Sequence, residues 1–159
     1  ALATIPVAVV CAGAKAILDV PRTVEALETL GVPTVGYRTD AFCEFWSPGR
    51  DLPVGVQADH PAGVAAILTA HWSAGLTSGV VVTVPVPAGQ AVDRSIIERA
   101  VAEGLAAASK AGVRGSALTP FLLDQVAEAT SGASLKANVA LIVNNARVAG
   151  EVAAALAED

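Results

Sequence analysis

Lys15 is one of three lysines in a chain of 159 residues, and it follows the small, apolar run Val9-Val10-Cys11-Ala12-Gly13-Ala14. Val9 and Val10 have the character of a buried strand's last turn, and the Ala-Gly-Ala that follows leaves room around the backbone. A lysine there is either a solvated strand-end residue or an amine held within reach of a substrate. The second reading rests on placement, because open α/β sheets bind ligands just beyond the carboxyl ends of their strands. An apolar setting disfavours an ammonium, and a neutral amine can attack a sugar or carbonyl carbon to form an imine.

The other polar residues that could serve such a site each have a plainer alternative. Asp19 can orient the amine or cap a helix beginning near Pro21, and the cap is preferred. Thr39 and Asp40 follow a second strand at the same sheet edge as Lys15. They either line the pocket or form a turn of their own. Phe42, Phe45 and Trp46 can cover the site, although a packed loop or an oligomer contact is the simpler role. Asn138, Asn144 and Asn145 interrupt an apolar helix, where their amides need partners or can read the donors and acceptors of a base. Arg147 fits an anion clamp or a structural ion pair. His60 and His71 stand 11 positions apart and are better read as satisfied or surface residues than as ligands. The spacing for a dinucleotide fingerprint, a phosphate loop and a nucleophile elbow is missing.

Elements that could position these residues are readable from periodicity. Strands are expected at 5–11, 32–37, 53–59 and 78–87, the third weak and near an edge. Helices are expected at 21–31, 60–76 with Asp59 as cap, 93–112 with Asp93 as cap, 114–132, and 134–159 with Ser134 as cap. Ile96, Ile97, Val101 and Leu105 should mark the buried face of the third helix. Strands alternate with helices first and helices dominate the end, which predicts a layered α/β/α fold with a mostly parallel sheet and a helix-rich C-terminal part, in one domain over 1–159.

Composition narrows the function classes. Hydrophobic residues make up 53% of the chain and charged ones 16%, which excludes disorder. The net charge is −5, without a basic cluster, so a nucleic-acid partner is not expected. No unbroken apolar stretch is long enough to span a bilayer, and the first residues lack the pattern of a signal peptide, so no membrane partner is expected. Two cysteines, Cys11 and Cys43, show no metal spacing and are a thin basis for a disulfide framework, which points to a reducing cytoplasm. Ala1 leads almost directly into a buried-type strand, which suggests a segment of something longer.

The string PVAVVCAGAKAILDVPRTVEALETLGVPTVGYRTDAF resembles the central segment of the pseudouridine-5′-phosphate glycosidases, also called the indigoidine-synthase-A-like family. GLTSGVVVTVPVP, GSALTPFLLDQVAEATSG and SLKANVALIVNNARVAGEVA resemble its later blocks in order. The resemblance implies reversible cleavage of pseudouridine 5′-phosphate to uracil and ribose 5-phosphate, a divalent metal (typically Mn²⁺) and a homotrimer. It places the family's nucleophilic lysine at Lys15 and a substrate-contacting asparagine at Asn138, with Thr39 and Asp40 as further substrate-binding candidates. The bond to be cut joins two carbons, so the two-carboxylate glycosidase route fits poorly. In the implied scheme the ribose opens, the lysine nitrogen joins C1′, and its lone pair expels the uracil carbon as an acid protonates that carbon. Water then hydrolyses the iminium.

The same resemblance implies that the general-acid glutamate, the metal-binding aspartate and most phosphate contacts lie upstream, so the chain corresponds to a C-terminal half. Cys43 and Glu44 stand where the family more often has proline and a small residue, and AGQA follows PVP where an acidic residue is usual. Two rival readings are kept. One is another imine-forming lyase or sugar-phosphate enzyme of secondary metabolism. The other is a truncated, non-catalytic assembly or binding module.

Overall fold

A computed structural model describes residues 1–15, 17–49 and 51–158. Four parallel strands, β1 (Ala8–Cys11), β2 (Thr34–Tyr37), β3 (Val56–Ala58) and β4 (Val80–Thr83), form one sheet in the order β1-β4-β2-β3. Five helices accompany them: α1 (Val20–Thr29), α2 (Pro61–Ser73), α3 (Arg94–Ala111), α4 (Leu118–Ala129) and α5 (Ala133–Ala157). The expected fold class is the observed one, with every helix present and β3 at an edge. β4 inserts between β1 and β2, and the sequence explains why. Val80-Val81-Val82-Thr83 is buried throughout, as a central parallel strand must be, whereas β1 and β3 are partly exposed.

Side chains alternate across β4, and that alternation builds the layers. Val80 and Val82 pack with Val64 and Leu68 of α2 and Val148 and Val152 of α5 on one face. Val81 packs with Val20 and Val24 of α1 on the other. A further cluster joins Ala12 and Trp46 to Ile97 and Ala100 of α3, Val126 of α4 and Leu141 of α5. It lies beyond the sheet's carboxyl edge and ties the helical C-terminal part to the loops that follow β1 and β2.

Asp19 caps α1, accepting a hydrogen bond from the Arg22 N–H at 3.1 Å, and Asp93 caps α3 through the Ser95 N–H at 2.8 Å. Two other expected caps are corrected. His60 rather than Asp59 caps α2, its Nδ1 accepting from the Gly63 N–H at 2.9 Å. Asp59 instead accepts from Gln57 Nε2. Ser134 lies inside the first turn of α5, whose cap position is Gly132, and the Thr130 hydroxyl accepts from the Ser134 N–H. The buried face of α3 is also rotated from expectation. Ile97 is buried with Ala100, Gly104 and Ala108, while Ile96 and Leu105 are exposed. Small residues let α3 approach α4 closely, and a Cβ on Gly104 would stand 2.9 Å from Leu122 Cδ2. The expected helix end at Asp159 lies outside the described residues.

α5 agrees with the expectation that no unbroken apolar stretch reaches bilayer length, since Lys136, Asn138, Asn144, Asn145, Arg147 and Glu151 interrupt it. At 25 residues, with a mean hydropathy of 1.4 over an 18-residue window, it is nonetheless long and apolar enough to cross a membrane by length and composition alone. Isolated polar residues break its apolar runs without lowering its average enough. Here α5 packs along α2 and β1 through Val148 and Val152, while Leu141 joins the cluster with α3 and α4.

Candidate active site

Because all four strands are parallel, the loops that leave β1, β2 and β4 open at one edge of the sheet. Lys15 is half-buried in the first of these loops. Three contacts press the loop after β2 against it. The Phe45 N–H donates to the Ala12 carbonyl at 2.9 Å, Gly13 and Glu44 form an antiparallel bridge, and the Cys43 carbonyl lies where a Cβ of Gly13 would be, 1.8 Å from that point. Gly13 has φ +78°, so the approach needs glycine both for its backbone and for the missing side chain.

Phe45 faces Lys15 directly, with the Lys15 Nζ 5.6 Å from the ring centroid. Its neighbours are fixed on both sides. Glu44, 7% exposed, accepts from Arg94 Nη1 at 3.1 Å. Trp46 is buried, meets the Phe45 ring edge-on at 5.0 Å, and donates from its indole nitrogen to the Ser134 carbonyl at 3.1 Å. Ser134 opens α5 one turn before Asn138, so the loop joins the lysine to the helix carrying the asparagine.

The other expected site residues are less engaged. Asn138 is half-buried on α5. The Thr39 hydroxyl accepts from the Ala41 N–H at 3.2 Å and donates to the Ala41 carbonyl, which is the turn reading of this residue. The Asp40 side chain is exposed, and its carbonyl accepts from the Val54 N–H at 3.0 Å. Arg147 pairs with Glu151 and with Asn144 Oδ1 on its own helix. His71 Nε2 lies 3.1 Å from Ser78 Oγ. Asn145 Oδ1 and the Tyr37 hydroxyl are buried without a hydrogen-bond partner.

Sequence reasoning gave no role to Arg94. Its place in the first turn of α3 was the available signal, since a cation there opposes the helix dipole and needs a carboxylate partner. It has three: Glu44, Asp51 and Glu98. The Glu98 hydrogen bond is the largest influence holding its pKa above the ordinary arginine value. A cavity of about 250 Å³ lies beside it, walled by Leu18, Asp19, Glu44, Ser47 and Glu98. With its guanidinium committed to carboxylates, this cavity is a poor anion site.

The cysteines flank the same junction. Thr83 pairs in register with Cys11, and its Oγ1 accepts from the Cys43 N–H at 3.1 Å. Burial pushes the Cys43 thiol up to about 11, partly offset by hydrogen bonding from Thr83, and burial also raises Cys11. Among the described residues no group of three or more His, Cys, Asp and Glu is gathered to hold a metal. The described side chains therefore offer no ligand set of their own for the implied Mn²⁺, whose protein ligand is expected upstream of this chain.

The family model described as "Indigoidine synthase A like protein" matches residues 1–155. The chain belongs to the indigoidine synthase A like family. Relatives in this family include the pseudouridine-5′-phosphate glycosidase of Caldanaerobacter subterraneus subsp. tengcongensis, 46% identical over 98% of this chain and 50% of the relative. That of Myxococcus xanthus is 48% identical over 99% of this chain and 52% of the relative. Among solved structures of similar fold is the prealnumycin C-glycosynthase AlnA in complex with ribulose 5-phosphate, with TM-score 0.91 and 41% identity over 98% of this chain and 51% of that one. The indigoidine synthase A-like protein of Thermotoga maritima superposes with TM-score 0.84 at 35% identity, covering 96% of this chain and 50% of that one. The chain spans about half the length of the curated relatives it matches.

Proposed function

We propose that this chain is the lysine-bearing, C-terminal half of a glycosidase that reversibly cleaves pseudouridine 5′-phosphate to uracil and ribose 5-phosphate in the cytoplasm. The observation that carries the reading is Lys15, half-buried at the carboxyl edge of β1 and joined through the Phe45–Trp46 loop to the head of α5. Relatives bearing the glycosidase name at 46% and 48% identity support it.

Lys15 is the nucleophile in this reading. Its amine adds to C1′ of the opened sugar. The nitrogen lone pair then forms C=N as the bond from C1′ to the uracil carbon breaks, and that carbon takes up a proton. Water adds to the iminium and releases ribose 5-phosphate with the free amine. A carboxylate has no lone pair able to make that iminium, which is why the site needs an amine. Asn138 contacts the base or nearby sugar atoms, and Thr39 and Asp40 border the substrate on the β2 side. The general acid and the metal ligand come from the upstream half, and three copies assemble.

Borohydride trapping on the full-length protein with ribose 5-phosphate tests this. The expected result is a reduced pentose-phosphate adduct on the peptide containing Lys15, abolished by Lys15→Ala. An adduct confined to Lys110 or Lys136 overturns the assignment.

A second reading, a C-glycoside-forming enzyme acting on a sugar phosphate and a different acceptor, is favoured by the likeness to the C-glycosynthase at 41% identity. The two readings share Lys15 and part at the base pocket. Uracil release from pseudouridine 5′-phosphate supports the first. Sugar trapping at Lys15 without uracil release supports the second.

A further inference from the structure

We infer that Phe45 is a positioning residue for the Lys15 amine, docking it as an ammonium on the ring face while the site is empty. The inference rests on the reading of Lys15 as nucleophile for its importance, but not for its test.

Three observations converge on Phe45. The first is backbone strain: Phe45 has φ 63°, a left-handed conformation that an aromatic residue adopts only when its surroundings impose it. The second is what imposes it. On one side Glu44 is buried and held by Arg94, and on the other Trp46 is buried and tied to the Ser134 carbonyl, while the Phe45 N–H itself is held by Ala12. A residue between two such anchors cannot relax by turning its backbone over. The third is where the strained backbone delivers the ring. The Lys15 Nζ stands 5.6 Å from its centroid, within the range at which a ring face attracts a cation.

Packing alone does not require this arrangement. Phe42 and Trp46 are buried in the core, whereas Phe45 is left half-buried against the lysine. A ring quadrupole attracts an ammonium far more than an uncharged amine. Phe45 therefore holds the nitrogen in one place when no sugar is present and lowers its readiness to attack stray carbonyl compounds. To react, the nitrogen must give up both its proton and its seat on the ring.

Competitive acetylation tests this at one fixed, near-neutral pH on the protein without sugar. Each uncharged lysine amine takes an acetyl group from acetic anhydride and releases acetic acid, and peptide mass spectrometry compares Lys15 with the exposed Lys110 and Lys136 as internal references. Phe45→Leu keeps an apolar side chain of similar size without a π face, and Phe45→Tyr keeps the face. The expected result is about two- to fivefold faster acetylation of Lys15 in Phe45→Leu, with native behaviour in Phe45→Tyr. No change in Phe45→Leu, or equal acceleration in both variants, overturns the inference. If Phe45→Leu does not fold, the native protein decides by NMR. Lys15 ε-methylene protons shifted upfield of those of Lys110 and Lys136 by the ring support it, and coincident shifts overturn it. Should acetylation behave as expected while sugar trapping at Lys15 fails, the imine reading falls and the docking of the amine stands.

Discussion

Cys43 carries its proton further into alkali than an ordinary thiol because burial penalises the thiolate, and its pKa rises from 9.0 to about 11. Below pH 9 both folded and unfolded chains keep that proton, so it adds no pH dependence. Between pH 9 and about 11 the unfolded chain loses it first, so stability falls as pH rises. Urea unfolding should show a loss of at most about 2–3 kcal/mol across that window from this group. Cys43→Ala should flatten the slope while costing some packing. The same burial makes iodoacetamide slow to reach Cys43 at pH 8, with the half-buried Cys11 modified first. Lys15 and Asp19 were legible in the sequence because strand-end placement and capping are local rules. Phe45 was legible only as a residue that could cover the site, and Arg94 not at all, since their contacts depend on Lys15 and Glu44, which the chain brings to them from 30 and 50 positions away.

Gly13 is the hinge on which two loops meet. Gly13→Ala combines a left-handed φ with a Cβ driven into the Cys43 carbonyl, and the two cannot be relieved together. The variant should lose at least about 2 kcal/mol of stability in chemical denaturation. It should also lose sugar trapping at Lys15, because the loop carrying Phe45 no longer seats. Thr83→Val, by contrast, keeps the shape of a fully buried strand residue and removes only the acceptor for the Cys43 N–H. Its expected cost is about 1–3 kcal/mol in the same measurement. Element type followed from periodicity, but caps and faces followed less well. Asp59 was expected to cap α2 because Asp is the stronger capping residue, yet His60 sits at the position whose ring reaches the Gly63 N–H. On α3 the large residues Ile96 and Leu105 suggested a buried face, whereas close helix packing selects Gly104 and the alanines.

Across the whole molecule, the α/β layering was legible because strand and helix periods alternate cleanly. The strand order was not, since the placement of β4 between β1 and β2 is decided by burial on both faces rather than by chain order. α5 presents Leu135, Val139, Ile142 and Val143, each more than half exposed, as a stripe on its outer side. Such a surface should bind an environment-sensitive apolar dye. Paired changes Ile142→Gln and Val143→Gln should lower that fluorescence severalfold with little change in melting temperature, since neither side chain supports the core. At one edge of the sheet, beside α5, β1 pairs with β4 alone among the described residues, and Val9 on it and Ile5 and Val7 just before it are exposed. Its outward N–H and C=O groups form an open template, with Pro6 ahead of the strand but no lysine or proline within Ala8–Cys11. In concentrated solutions of this chain alone, that rim is where strand-to-strand stacking into fibrils would nucleate, ahead of any unfolding of the core.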